Sequence, residues 1–197
     1  MRDQAMDEEG PEPIAIVGMG TSVVTAVALL IINNNLWRIG CRWPGGVRDA
    51  SGLWELLKNK RSGYKEFDEP RFSYKGFYHP NHERPGSMAT KGGFLLDEDP
   101  RLFDPSFFGI TGLELDTMDA SQRKLLEVVY EAFENAGETW ESVSGSSTGV
   151  FIGNFSLDHW VTQARDWDFP KPYATTGAST SILGNRISYI FNLRGPR

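Results

Sequence analysis

The segment from Asp119 to Asn135 constrains the fold more than any other part of the chain. Leu125, Val128, Val129, Ala132, Phe133 and Ala136 recur at i, i+3, i+4, i+7, i+8 and i+11, while Arg123, Lys124, Glu127, Glu131 and Glu134 take other positions. This is one apolar stripe at helical period, and another element must cover it. Asp119 with Gln122 three positions on resembles a capping box, and Gly137 supplies a C-terminal stop. Two short β-branched runs ending in glycine, Pro13–Gly18 (PIAIVG) and Thr148–Gly153 (TGVFIG), read as buried strands. A helix capped by Asp49 or Ser51 carries Leu53, Trp54, Leu56 and Leu57. A last helix from Ser179 to Phe191 puts Leu183, Ile187, Ile190 and Phe191 on one face before Gly195-Pro196 ends it. Strand, helix, helix, strand, helix is an α/β order.

Composition narrows the function classes. With 197 residues, 40% of them hydrophobic, the chain can bury a core without disulfides. The single cysteine, Cys41, excludes an intrachain disulfide framework and a cysteine-rich zinc module, so a reducing, cytoplasmic setting is expected. A net charge of −6 argues against nucleic acid as a partner. Met1–Gly10 is acidic and polar, unlike a secretory signal, and residues 1–11 are expected to form a disordered acidic N-terminus. Without export, the Asn154-Phe155-Ser156 sequon is a chance match. Val23–Ile32 (VVTAVALLII) is about half the roughly 20 residues a membrane-spanning helix needs. No membrane partner is therefore expected. Arg61–Pro105 is rich in Gly, Pro and aromatic residues without sustained periodicity, which predicts a long excursion of loops packed by Phe72, Tyr74, Phe77 and Phe94.

The motifs that could carry chemistry each have a simpler structural reading. Gly18-Met19-Gly20 follows a strand as a dinucleotide fingerprint would, but Val23 stands where the third glycine belongs and no helix start follows. His79 and His82 could approach one another, yet a catalytic zinc takes three protein ligands and Pro80 breaks any helical spacing between them. Cys41 has no histidine nearby in sequence to activate its thiol and reads as structural. Asp116 and Asp119 would need a converging carboxylate to form an acid/base pair, and a capping role for Asp119 is more economical. Asn185 and Arg186 are polar in an apolar helix and are expected to make specific hydrogen bonds. No catalytic, cofactor-binding or metal-ligating residue is assigned.

Taken together, several segments resemble the N-terminal part of a β-ketoacyl synthase domain of the fungal reducing polyketide synthase type. They are Glu12–Gly20 (EPIAIVGMG) continuing at Cys41–Gly46 (CRWPGG), Phe103–Ile110 (FDPSFFGI), Met118–Gly137, Thr148–Gly153 and Gly177–Pro196 (GASTSILGNRISYIFNLRGP), in the family's order. YKGFYHPNHERPGSMATKGGF also looks like the corresponding stretch of reducing synthases. The resemblance implies a thiolase-like α-β-α-β-α layered fold, of which residues 12–197 would be an incomplete N-terminal portion, working as a homodimer. It implies decarboxylative condensation of acyl thioesters with malonyl-carrier protein, the acyl chains riding on phosphopantetheine, with a thiolate nucleophile and two histidines. No cofactor is expected to be bound by this chain itself.

Two departures from the family's pattern matter. The family's nucleophile segment lies after the match to LRGP and its catalytic histidines later still, so none of these residues carries over. Cys41 aligns with the Cys-Arg-Pro-Gly loop, and His79, His82 and His159 sit in neither histidine motif. The chain alone is therefore expected to be inactive, or to pair without catalysis with an intact ketosynthase. The second departure is Thr21–Gly40, which separates GMG from CRWPGG, segments that the family joins directly. It reads as a retained intron translated in frame: Gly20-Thr21-Ser22 can be encoded with the donor GTACGT, and Ile39-Gly40 with an AG acceptor that leaves a glycine codon intact. Its apolar residues are expected to be exposed or misplaced and to favour aggregation.

Overall fold

The computed structural model describes residues 16–22, 26–31, 38–68, 72–154, 156–165 and 171–197. The expected disordered tail, residues 1–11, lies outside them. Three strands, β1 (Ile16–Ser22), β2 (Ala26–Ile31) and β3 (Arg38–Arg42), precede helix α1 (Ala50–Lys58). Asp49 caps α1 by accepting from the Gly52 amide. Short strands β4 (Tyr64–Glu66) and β5 (Gly92–Phe94) pair antiparallel. Then follow α2 (Gly112–Leu115), α3 (Ala120–Ala136), α4 (Trp140–Val143), β6 (Gly149–Gly153), α5 (Asp158–Gln163), α6 (Ala174–Ala178) and α7 (Ile182–Ile190).

The larger sheet has the order β3-β1-β2-β6. β1 and β3 run parallel, whereas β2 runs antiparallel to both β1 and β6, so β1 and β6 point the same way. The apolar Val23–Ile32 run thus contributes β2, whose backbone pairs on both sides (Gly20 with Ala28, Ala28 with Ile152). Residues 194–196 run beside β6: Arg194 donates to the Ser146 carbonyl and Val150 to that of Pro196. Gly195 is required there, because a Cβ would lie 2.3 Å from the carbonyl oxygens of Ser147 and Thr148.

The core forms where α3 meets β6 and α7. Leu125, Leu126, Val129 and Phe133 pack with Val150, Leu183, Ile187, Phe191 and Leu193, and Phe108, Ile110 and Met118 close the end. Each such side chain removed from water stabilises the fold by roughly 1.5–3 kcal/mol. Trp140 fills the rim against Phe191 at 4.8 Å between ring centroids.

Three expectations are corrected in detail. Asp119 caps α3 through the Ser121 amide, but Gln122 does not complete a capping box; its side chain is buried against α6. The expected helix from Ser179 to Phe191 is α7, which starts three residues later at Ile182, and a short helix not expected from the sequence, α6, ends before it at the extended Ser179. The aromatic residues of the long loop segment do pack on each other, with Phe72 and Phe77 stacked at 5.7 Å, yet Phe72, Phe77 and Phe94 all stay exposed.

Candidate functional site

Cys41 leads to the first polar cluster. It lies on β3, only 2% exposed, and burial pushes its thiol pKa up. The charged groups acting on it are Asp49, Arg42 and Glu131. A thiol so placed stays protonated and inaccessible, the opposite of what a nucleophile requires. Arg42, 5% exposed, points the other way along β3 and is saturated by acids. Its two terminal nitrogens bind the Glu131 carboxylate, Nη1 to Oε2 at 2.5 Å and Nη2 to Oε1, while Nε donates to Glu98 at 3.1 Å. Lys124 beside it donates to Glu127 at 2.8 Å and to the Leu102 carbonyl at 2.9 Å. An open cleft of about 570 Å³ runs over these pairs, lined also by Phe103, Phe107 and Tyr130. Every buried cation under it is matched by a carboxylate, so the cluster braces β3 against α3.

The second cluster knots α2, α3, α6 and α7 together. Arg186 donates through Nε to Gln122 Oε1 at 2.8 Å, through Nη1 to Glu114 at 2.5 Å and through Nη2 to the Thr176 carbonyl at 3.3 Å. Gln122 in turn donates to the carbonyls of Thr176 and Gly177. The Asp119 amide donates to Gly177 O, and a Cβ at position 177 would lie 2.2 Å from Thr117 O, so only glycine permits this approach. His159 joins from α5: its Nε2 is 2.8 Å from the Thr117 carbonyl, which can only accept, so the ring donates. A buried guanidinium with three partners fixes a helix junction rigidly.

The remaining sequence candidates are not brought together. Asp116 is exposed and pairs with Lys171 at 2.9 Å, while Asp119 is spent on the helix cap. His79 accepts from the Asn81 amide through Nδ1, and His82 is exposed in the same turn. No group of three or more His, Cys, Asp or Glu side chains suited to a metal occurs among the described residues. β1 continues through Gly18, Met19 and Gly20 to Ser22, so no phosphate-holding turn opens there. Asn185 corrects the expectation made for it: it is exposed and donates only to Ser181 O, whereas Arg186 behaves as anticipated. Arg42 and Lys124 were not singled out by sequence reasoning, and Gln122 was read only as a capping partner of Asp119.

With α3, β6 and α7 placed around one core and the two polar knots bracing them, residues 38–197 match the family model described as "Beta-ketoacyl synthase, N-terminal domain". The chain belongs to this family. It is 67% identical over 186 residues to the prosolanapyrone synthase of Alternaria solani, a match covering 94% of this chain and 6% of that protein. It is 64% identical over 158 residues to the highly reducing polyketide synthase xilA of Penicillium rubens, covering 80% of this chain and 6% of the relative. The chain thus spans about 6% of the length of these curated relatives. Among solved structures, the oxazolomycin ketosynthase domain OzmH KS7 of Streptomyces albus superposes with a TM-score of 0.65 at 22% identity, over 94% of this chain and 28% of that one. The module 6 ketosynthase of the Bacillus subtilis bacillaene synthase does so with 0.63 at 26% identity, over 93% and 26%. The architecture is therefore α/β, the N-terminal portion of a thiolase-like ketosynthase. No helix among the described residues is long and apolar enough to cross a membrane.

Proposed function

We propose that these residues form the N-terminal part of a ketosynthase that elongates acyl chains within a highly reducing polyketide synthase. In that reaction an acyl group passes from a phosphopantetheine thiol to an active-site cysteine, and malonyl-carrier protein loses CO₂. The carbanion left behind attacks the acyl thioester carbon; a carbon–carbon bond forms, the bond to the cysteine sulfur breaks, and the β-ketoacyl chain remains on the carrier. The observation that carries this reading is the family match over residues 38–197, taken with the identity to fungal polyketide synthases.

Within this reaction the chain acts as scaffold. Its only thiol is buried, and burial holds it in the protonated form, so Cys41 is not the acyl acceptor. The carrier protein and a second ketosynthase protomer are the partners this reading supplies, in the cytoplasm. Incubation of the protein with an acyl thioester and malonyl-carrier protein should leave its intact mass unchanged and release no CO₂. An acyl adduct on Cys41, or condensation by the protein alone, overturns the scaffold assignment.

Exposed apolar side chains support a second reading, a non-catalytic protein that pairs with an intact ketosynthase. Phe151 on β6, Trp160 and Val161 on α5 and Tyr189 on α7 are all open, Tyr189 at 86%. Co-purification with a full-length synthase is the expected result, and a monodisperse monomer in the presence of that synthase argues against it.

A further inference from the structure

We propose that residues 21–40 are an optional segment, removed at the RNA level, and that the chains with and without it place a glycine in one and the same strand position. The argument begins at Gly40. A Cβ there would lie 2.4 Å from the Val128 carbonyl oxygen and 3.2 Å from the Ala132 nitrogen of α3, too close for any side chain. The strand entering Cys41 must therefore present glycine to α3.

β1 and β3 are parallel neighbours in a register that pairs Met19 with Ile39, Gly20 with Gly40 and Thr21 with Cys41. The two residues bounding the segment at its start and end, Gly20 and Gly40, thus sit side by side, about 4.8 Å apart across one strand spacing. Excision joins Gly20 to Cys41. The residue meeting Val128 is then Gly20, preceded by apolar Met19 where Ile39 had been. A one-strand sidestep of β1 into the β3 position gives a single strand from Ile16 through Arg42, and Cys41, Arg42 and their contacts with α3 and Glu98 are untouched. A splice that uses GT inside the Gly20 codon and AG before the last two bases of the Gly40 codon reconstitutes one glycine codon, the residue the α3 approach demands. β2, which separates β1 from β6, leaves with the segment, and β1 and β6 already run in the same direction.

The family match begins at residue 38, inside β3, so β1 and β2 stand outside it. The inference does not depend on the condensation reaction; it needs only the register and the close approach of α3. Two measurements test it. Transcripts amplified across the region should include a product shorter by the twenty codons from Thr21 to Gly40, and transcripts that all contain those codons overturn removal at the RNA level. Urea unfolding of the chain lacking residues 21–40 should be cooperative, with a midpoint no lower than that of the full chain. In that shorter chain Gly20→Ala should lower the midpoint at least as much as Gly40→Ala does in the full chain, or abolish the transition. Absence of cooperative unfolding in the shorter chain, or tolerance of Gly20→Ala there, overturns the shared strand position.

Discussion

Arg42 shows how much one residue of this chain does at a distance in sequence. It ties β3 to α3 through Glu131 and to the segment before α2 through Glu98. Arg42→Met should destabilise the protein by about 1.5–3 kcal/mol in urea unfolding, the range for hydrogen bonds to charged groups, because Glu98 and Glu131 lose their shared cation. Both carboxylates keep some contact with water, which places the loss below that of breaking a fully buried pair. Arg42→Lys should recover only part of it, since an ammonium cannot hold Glu131 with two parallel bonds while reaching Glu98. The neighbouring thiol gives a pH prediction. Burial raises the Cys41 pKa above its ordinary 9.0, so the folded state favours the neutral thiol. That contribution is complete below pH 9.0 and is lost as pH rises through the folded-state value, where the unfolded chain gains by ionising first. Cys41→Ala should accordingly decline less steeply above pH 9 than the parent, and Cys41 should react with a thiol reagent only when the protein unfolds. A fast reaction in the native state would contradict the burial.

At the scale of elements, α3 is the best test of what the sequence discloses. Its apolar stripe and both its ends were readable, because helical period, an acidic cap and a terminal glycine are local signals. Asp119→Ala should cost about 1 kcal/mol and Leu125→Ala about 2–5 kcal/mol, measured by the same unfolding, since the first removes only a cap and the second opens a hole in the core. Ser121, Gln122 and Lys124 are buried as well, and this was not readable: α3 is covered by the sheet on one side and by α6 on another, and the second cover arrives from more than fifty residues away, as the Gln122 bond to Gly177 records. The short helix α6, which precedes the expected last helix, was not read from the sequence either. Within α6, Gly177 approaches Thr117 so closely that no side chain fits. Gly177→Ala should destabilise by about 1–3 kcal/mol through overpacking, and its effect should not add to that of Arg186→Ala, because both disturb the knot around Gln122 and Thr176. Additive losses in the double variant would show that the knot is not one unit.

Stability across the whole molecule follows from where the contacts concentrate. The α3–β6–α7 unit holds the buried aliphatic side chains, the Phe133–Phe191 contact at 5.3 Å and the Trp140–Phe191 contact, and it is bound at both ends by ion pairs. The β4–β5 pair instead rests on three-residue strands and rings such as Tyr64 and Phe94, which meet at 5.9 Å but remain open to water. Local opening should therefore begin there. Native-state hydrogen exchange is expected to give the slowest amides in Leu125–Phe133 and Ile187–Phe191, exchanging only on global unfolding, whereas Lys65 and Gly93 exchange with a much smaller opening free energy. The β3 amides give the decisive comparison. If the Arg42 pairs bind the sheet to α3 as one cooperative body, Cys41 and Arg42 should exchange with the α3 amides, and Arg42→Met should release them toward the rate of β4–β5. Exchange of β3 at the slow α3 rate in that variant would mean that the Gly40 approach alone, and not the buried charges, fastens the sheet to the helix.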